Sequence, residues 1–174
     1  MIEIAYYVAM SLDGFIAPPD GSLDWLHRFL VEGEDFGYAA FYRTTDVVLV
    51  GRRTYDQSLT FPTWPYPDKP CWVFSKAPVA PRGGVVHTTL GPRAAAAELE
   101  LRGHRRAWLI GGGKLAAAFR ADGLITEYIV TVLPVMLGTG IPLFDGPGPH
   151  QDLTLVDTKT YPLGLVQLRY VPAR

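Results

Sequence analysis

Residues 107–119, AWLIGGGKLAAAF, constrain this chain more than any other stretch. A short apolar run breaks into three glycines and then into an Ala-rich segment, the pattern of a buried strand that turns sharply into a helix. Glycines let backbone N–H groups approach a ligand with no Cβ in the way, and a helix start carries partial positive charge. Gly111, Gly112 and Gly113 are therefore a candidate seat for a phosphate or pyrophosphate. Gly111, Gly113 and Ala116 also satisfy the dinucleotide pattern G-x-G-x-x-G/A, with Glu127 at a separation that suits a ribose contact. The position argues against a Rossmann domain, which places this turn after its first strand, whereas only about fifty residues remain here. An ATP-binding loop fails on identity: Trp108 stands where the first glycine is required, and Leu115 rather than Ser or Thr follows Lys114. Taken alone, the turn fits a ligand-free junction equally well, so other segments decide.

The rest of the chain repeats the motif of a strand ending in small or charged residues. Apolar, β-rich runs predict strands over residues 2–10, 46–50, 69–75, 85–88, 106–110 and 127–135, with a terminal hairpin over 153–161 and 165–171. Helical patterns fall at 23–30 with Ser22 as its cap, at 36–43, after Gly51, at 92–101 with Pro92 at its start, and after Gly113. Strands alternating with helices first and a hairpin last predict an α/β fold with a mostly parallel central sheet and an antiparallel C-terminal edge. With 174 residues and 48% hydrophobic content, one domain over residues 1–174 is expected.

Four segments carry candidate chemistry. Asp13 follows the first strand, where open α/β sheets bind ligands; it is either a reacting group or an Asx-type turn before Gly14. Asp24 is either a helix-start charge or a proton donor facing a cleft. In Gly51-Arg52-Arg53-Thr54, a second glycine ends a strand, now with two arginines whose planar forks suit a phosphate monoester or simply face water. Ser75 and Lys76 place a hydroxyl and a cation at a further strand end, and the Pro-rich aromatic loop at residues 60–68 either walls a pocket or covers the core. A net charge of −1 leaves no electrostatic footprint for nucleic acid or an anionic membrane. The single cysteine, Cys71, cannot form an internal disulfide and reads as a small strand residue. With no apolar run of spanning length and no basic leader, the expectation is a cytoplasmic protein. No histidines stand at ligand spacing, so no metal is expected.

In sequence order, Met10-Ser11-Leu12-Asp13-Gly14-Phe15-Ile16-Ala17, Gly51-Arg52-Arg53-Thr54-Tyr55-Asp56, Phe74-Ser75-Lys76, Ile110-Gly111-Gly112-Gly113-Lys114-Leu115 and residues 131–144 span nearly the whole chain. With these motifs the chain resembles the dihydrofolate reductase-like superfamily, in particular the C-terminal reductase domain of the bifunctional riboflavin-biosynthesis deaminase/reductase and its stand-alone relatives. The resemblance implies a single-domain, three-layer fold and NADPH bound along the strand ends. It implies that Gly51, Arg52, Arg53 and Thr54 hold phosphates, with Arg52 on the 2′-phosphate supported by Ser75 and Lys76. Gly111, Gly112, Gly113, Lys114 and Leu115 would lie under the pyrophosphate, and the backbone of Ala9 and the side chain of Ile16 would frame the nicotinamide. Thr131 matches the threonine that works with a helix carboxylate in dihydrofolate reductases, for which Asp24 beside Trp25 is the nearest candidate. In riboflavin-type reductases the Asp of Ser-Leu-Asp-Gly lies at the substrate, which favours Asp13. The implied activity is NADPH-dependent reduction of a pterin-, pyrimidine- or flavin-like heterocycle. The alternatives are a nucleotide-binding module without turnover and a true dihydrofolate reductase. The strand at residues 128–135 and the hairpin after it are a candidate homodimer face.

Overall fold

The computed structural model describes residues 1–173. Its centre is an eight-stranded sheet in the order β5-β4-β3-β6-β1-β7-β10-β9. Six strands run parallel: β1 (Glu3–Ser11), β3 (Val47–Gly51), β4 (Cys71–Phe74), β5 (Val85–Thr88), β6 (Arg106–Gly111) and β7 (Glu127–Leu133). β10 (Leu165–Pro172) joins β7 antiparallel and β9 (Leu153–Tyr161) closes that side, so the hairpin forms the antiparallel edge. The α/β class and the dihydrofolate reductase-like architecture implied by the resemblance are both present.

The apolar runs are continuous because both sheet faces are covered. Ile4, Tyr6, Leu49, Trp72 and Leu109 point to one face, where α4 (Pro92–Leu101) and α5 (Gly113–Ala121) bury Ala95, Leu99, Ala116 and Phe119 against them. Their alternates Ala5, Val48, Val50, Cys71, Val73 and Trp108 point to the other face. There α2 (Tyr38–Thr44) contributes Phe41, α3 (Arg52–Ser58) contributes Tyr55, and the Pro-rich loop contributes Tyr66. Truncating a side chain as enclosed as Leu109, at 0% exposure, costs about 2–5 kcal/mol. Cys71 is fully buried, which pushes its thiol up to about 12 and leaves it unreactive near neutral pH.

Three local expectations need correction. The helix after the first loop is only α1 (Asp24–His27), capped at Leu23 without a side-chain bond. The backbone N–H of Ser22 instead donates to Asp20 Oδ1 at 2.8 Å, an Asx turn that draws this residue away from a capping role. Residues 15–17 and 141–142, outside the strands expected from the sequence, form the two-stranded pair β2 (Phe15–Ala17) and β8 (Ile141–Pro142). Of the dimer face expected over residues 128–135 and the hairpin after it, β7 is flanked by β1 and β10 with nearly all its side chains buried, whereas β9 of the hairpin is exposed.

Candidate functional site

A cleft of about 910 Å³ opens at the carboxyl ends of β1, β3 and β6, within the usual size of ligand sites. Parallel strands end there beside the starts of α3 and α5, so uncommitted backbone donors gather on one side. The two Gly-led junctions meet in this cleft. Val50 pairs with Gly111 across β3 and β6, and a Cβ at Gly51 would lie 3.6 Å from the Gly111 carbonyl oxygen and 3.8 Å from the Gly112 nitrogen. A Cβ at Gly112 would lie 3.9 Å from Thr54 Oγ1. Ala9, Ile16, Gly51, Arg52, Arg53, Thr54, Gly112, Gly113, Lys114 and Leu115 all line the cleft, as nominated from the sequence.

The glycines of the triplet have different tasks. Gly111, buried and with φ +106°, makes the turn above the Tyr6 ring and stays behind the lining; the Gly111–Gly112 peptide is cis. Gly113 admits close packing: a Cβ there would stand 2.5 Å from the Pro142 carbonyl oxygen and 3.1 Å from Asp145 Cβ. The Asp145 N–H donates to the Gly113 carbonyl at 3.1 Å, tying the loop after β8 to the start of α5.

Arg52 is held in place. Its Nε donates to both carboxylate oxygens of Asp56, at 2.9 and 2.7 Å, and its Nη1 donates to the Pro78 carbonyl at 2.7 Å. This leaves Nη2 for a ligand. Ser75 and Lys76 do not reach the lining. They follow β4, one strand further out, and the Ser75 hydroxyl donates to the Ala77 carbonyl at 2.6 Å, shaping the loop that carries Pro78.

The carboxylates nominated for proton transfer lie outside the cleft lining. Asp13 accepts the Ser11 hydroxyl at 2.5 Å, the Leu137 N–H at 3.1 Å and the Gly138 N–H at 2.7 Å. The Ser11 hydroxyl first, then these backbone donors, hold its carboxyl below the ordinary range. Asp13 therefore fastens the loop after β7 to the first turn. Asp24 is exposed, 3.7 Å from His27 Nδ1. Trp25 packs towards Phe29, Leu133 and Leu165, away from the lining. Thr131 is buried within β7 opposite Ala9 and accepts a hydrogen bond from Gln167 Nε2 at 3.0 Å.

One wall of the cleft was anticipated only for the Pro-rich loop. Tyr7, Tyr38 and Tyr66 line it around the Trp108 ring, at centroid separations of 6.1, 5.6 and 5.8 Å, with Phe61, Leu23 and Leu26 at its rim. The Pro-rich loop thus supplies pocket residues, Phe61 and Tyr66, while its Trp64 packs on Tyr55. Burial pushes the Tyr7 phenol up to about 12 and raises Tyr38 and Tyr66 as well, so these hydroxyls remain protonated hydrogen-bond donors at neutral pH. The motif WLIGGG, with an aromatic three residues before the glycines, and the Pro-rich aromatic loop are the sequence signals for this wall.

A second cavity, of about 660 Å³, lies at the opposite ends of the strands among Glu3, Glu100, His104, Arg105 and Arg106. Its charges serve the fold: Arg106 pairs with Glu3 and with buried Glu127, which also holds Arg169. Among the described residues, no helix is long and apolar enough to cross a membrane.

A mostly parallel sheet with helices on both faces and an antiparallel C-terminal edge defines a dihydrofolate reductase-like class of fold. Within that class, the family model described as the RibD C-terminal domain matches residues 3–167, and the chain belongs to that family. It is 43% identical over 169 residues to the uncharacterized Bacillus subtilis (strain 168) protein YwjB, covering 96% of each chain. A solved structure of a candidate riboflavin biosynthesis protein from Shewanella sp. PV-4 superposes with a TM-score of 0.88 at 31% identity, covering 100% of both chains. The diaminohydroxyphosphoribosylaminopyrimidine deaminase/5-amino-6-(5-phosphoribosylamino)uracil reductase of Thermotoga maritima matches in fold, with a TM-score of 0.76 at 15% identity; this chain spans 57% of it.

Proposed function

We propose that this chain is an NADPH-dependent reductase of a pterin-, pyrimidine- or flavin-like heterocycle, related in reaction type to the 5-amino-6-(5-phosphoribosylamino)uracil reductases. The observation that carries this reading is the meeting of the Gly51 and Gly112 backbones in one cleft beside Arg52, Arg53, Thr54 and Lys114. A side chain at Gly51 would fill the cradle between the strand ends, and the cations around it suit a phosphorylated dinucleotide. NADPH supplies the hydride when bound. The chain's own share is placement: Arg52 Nη2 on the 2′-phosphate, the α5 start under the pyrophosphate, Ala9 and Ile16 against the nicotinamide, and the aromatic wall excluding water from the acceptor. The Tyr7 hydroxyl donates to the Phe36 carbonyl at 3.2 Å, so the Tyr38 phenol is the candidate proton source on the acceptor side in place of Asp13 and Asp24. We also propose a homodimer through β9, whose Leu153, Leu155 and Val156 are 41%, 50% and 46% exposed on an open sheet edge.

A binding module without turnover is the second reading, favoured by the placement of both nominated carboxylates outside the cleft lining. The solvent-facing Asp24 also weakens the dihydrofolate reductase reading. Oxidation of NADPH followed against dihydrofolate, the riboflavin-pathway pyrimidine and simple flavins tests these readings. Turnover of one acceptor is the expected result, methotrexate-sensitive turnover of dihydrofolate would restore the third reading, and cofactor binding without any oxidation would establish the module.

A further inference from the structure

We infer that the acceptor half of this cleft takes an uncharged planar heterocycle that carries no phosphate group. The inference rests on the reductase reading for assigning the other half to the dinucleotide. The two halves differ in chemistry. The cations on the lining, Arg52, Arg53 and Lys114, all belong to the glycine junctions, and Arg52 is already paired with Asp56. The acceptor half presents Tyr7, Tyr38, Tyr66, Trp108 and Phe61 with Leu23 and Leu26, none of them ionised at neutral pH. The remaining charged groups on the lining, Asp20 and Asp145, are carboxylates that repel a phosphate.

Cations do stand close behind the aromatic wall, yet each is committed elsewhere. Lys69 donates to the Thr45 carbonyl and lies 4.6 Å over the Tyr42 ring, Arg82 lies 4.6 Å over Trp64, and Arg106 is paired with Glu3 and Glu127. None of the three lines the cleft. A phosphate monoester brings a charge of about −1.5 to −2 at neutral pH and needs charge-assisted donors. NADPH already places a monoester and a pyrophosphate on the junction cations, so a second phosphate in this cleft would be buried without a counter-charge. Rings that stack and the Tyr38 phenol as a donor instead suit a flat heterocycle with carbonyl or ring-nitrogen acceptors, the Tyr7 hydroxyl being given to the Phe36 carbonyl. The Thermotoga reductase is named for a phosphoribosylated uracil; the acceptor wall here is built for the same kind of ring without that phosphate.

The test is equilibrium titration of the whole chain with matched pairs, riboflavin against FMN and ribosylaminouracil against its 5′-phosphate, after loading with NADP+. The expected result is a preference of about tenfold or more for the unphosphorylated member of at least one pair. In Phe61→Arg, which adds a cation at the exposed rim, that preference should shrink several-fold. Equal or tighter binding of the phosphorylated members overturns the inference and leaves the reductase reading standing. Failure of every unphosphorylated member to bind, or a preference that Phe61→Arg does not move, also overturns it. Failure of the loading step itself, with no NADP+ uptake, removes the reductase reading and the inference together.

Discussion

Arg52 and Asp13 show how far residue identity alone reveals a role. The Asp56 carboxylate fixes the Arg52 guanidinium through Nε and leaves its outer edge free, so this side chain can recognise a 2′-phosphate without a large ordering cost. Replacing Arg52 by Ala is expected to weaken NADPH binding about tenfold more than NADH binding, in line with one lost charge-assisted contact. Equal losses would remove the 2′-phosphate role. Asp13 could be read from sequence as chemistry or as a turn, and the structure engages both its oxygens with Ser11, Leu137 and Gly138. Its folded carboxyl titrates below the ordinary range. The stability it contributes is therefore complete above that range and lost as pH falls through the lowered folded value. Asp35, whose oxygens accept the Gly37 and Ala39 N–H groups at the start of α2, behaves the same way. Melting curves across about pH 2 to 5 should show acid destabilisation in the wild type and a flatter profile in Asp13→Asn, which retains NADPH uptake. A parallel profile in the variant would contradict the fastening role.

Among the elements, the junction from β6 to α5 was the most legible, because an apolar run, three glycines and an Ala-rich stretch each constrain the backbone locally. The task of each glycine was not legible, since it depends on what packs above. A Gly113→Ala change gains little in helix propensity, because Gly113 is the first residue of α5, and it drives a methyl into the Pro142 carbonyl, a backbone atom that cannot rotate away. The overlap should win and destabilise the fold by about 1–3 kcal/mol in denaturant titration. Gly51→Ala meets only ordinary contacts of 3.6 Å and beyond, so it should fold normally and lose NADPH affinity. Unchanged affinity in that variant would refute the cradle. β2 and β8 escaped sequence reading because tertiary pairing rather than local pattern holds such short strands, and Ser22 misled because a turn with Asp20 claimed its backbone.

For the whole molecule, the mostly parallel sheet with its antiparallel C-terminal edge followed from apolar runs and their alternation with helical patterns, whereas the strand order and most of the acceptor wall did not. Tyr7, Tyr38, Tyr66 and Trp108 come from β1, α2, the Pro-rich loop and β6, and only the fold brings them together. The same logic narrows the proposed homodimer face to the hairpin: β7 is apolar because it is interior, and β9 is an open edge strand. Light scattering should give a dimer mass for the wild type and a monomer mass for Leu155→Lys; a wild-type monomer at all concentrations would remove that assembly. The central claim is that the two glycine junctions form one seat for a phosphorylated nicotinamide dinucleotide. Calorimetric titration of the purified chain with NADPH tests it most directly. Saturable uptake at one site per chain, displaced by NADP+, is the predicted result, and the absence of any saturable heat would contradict it.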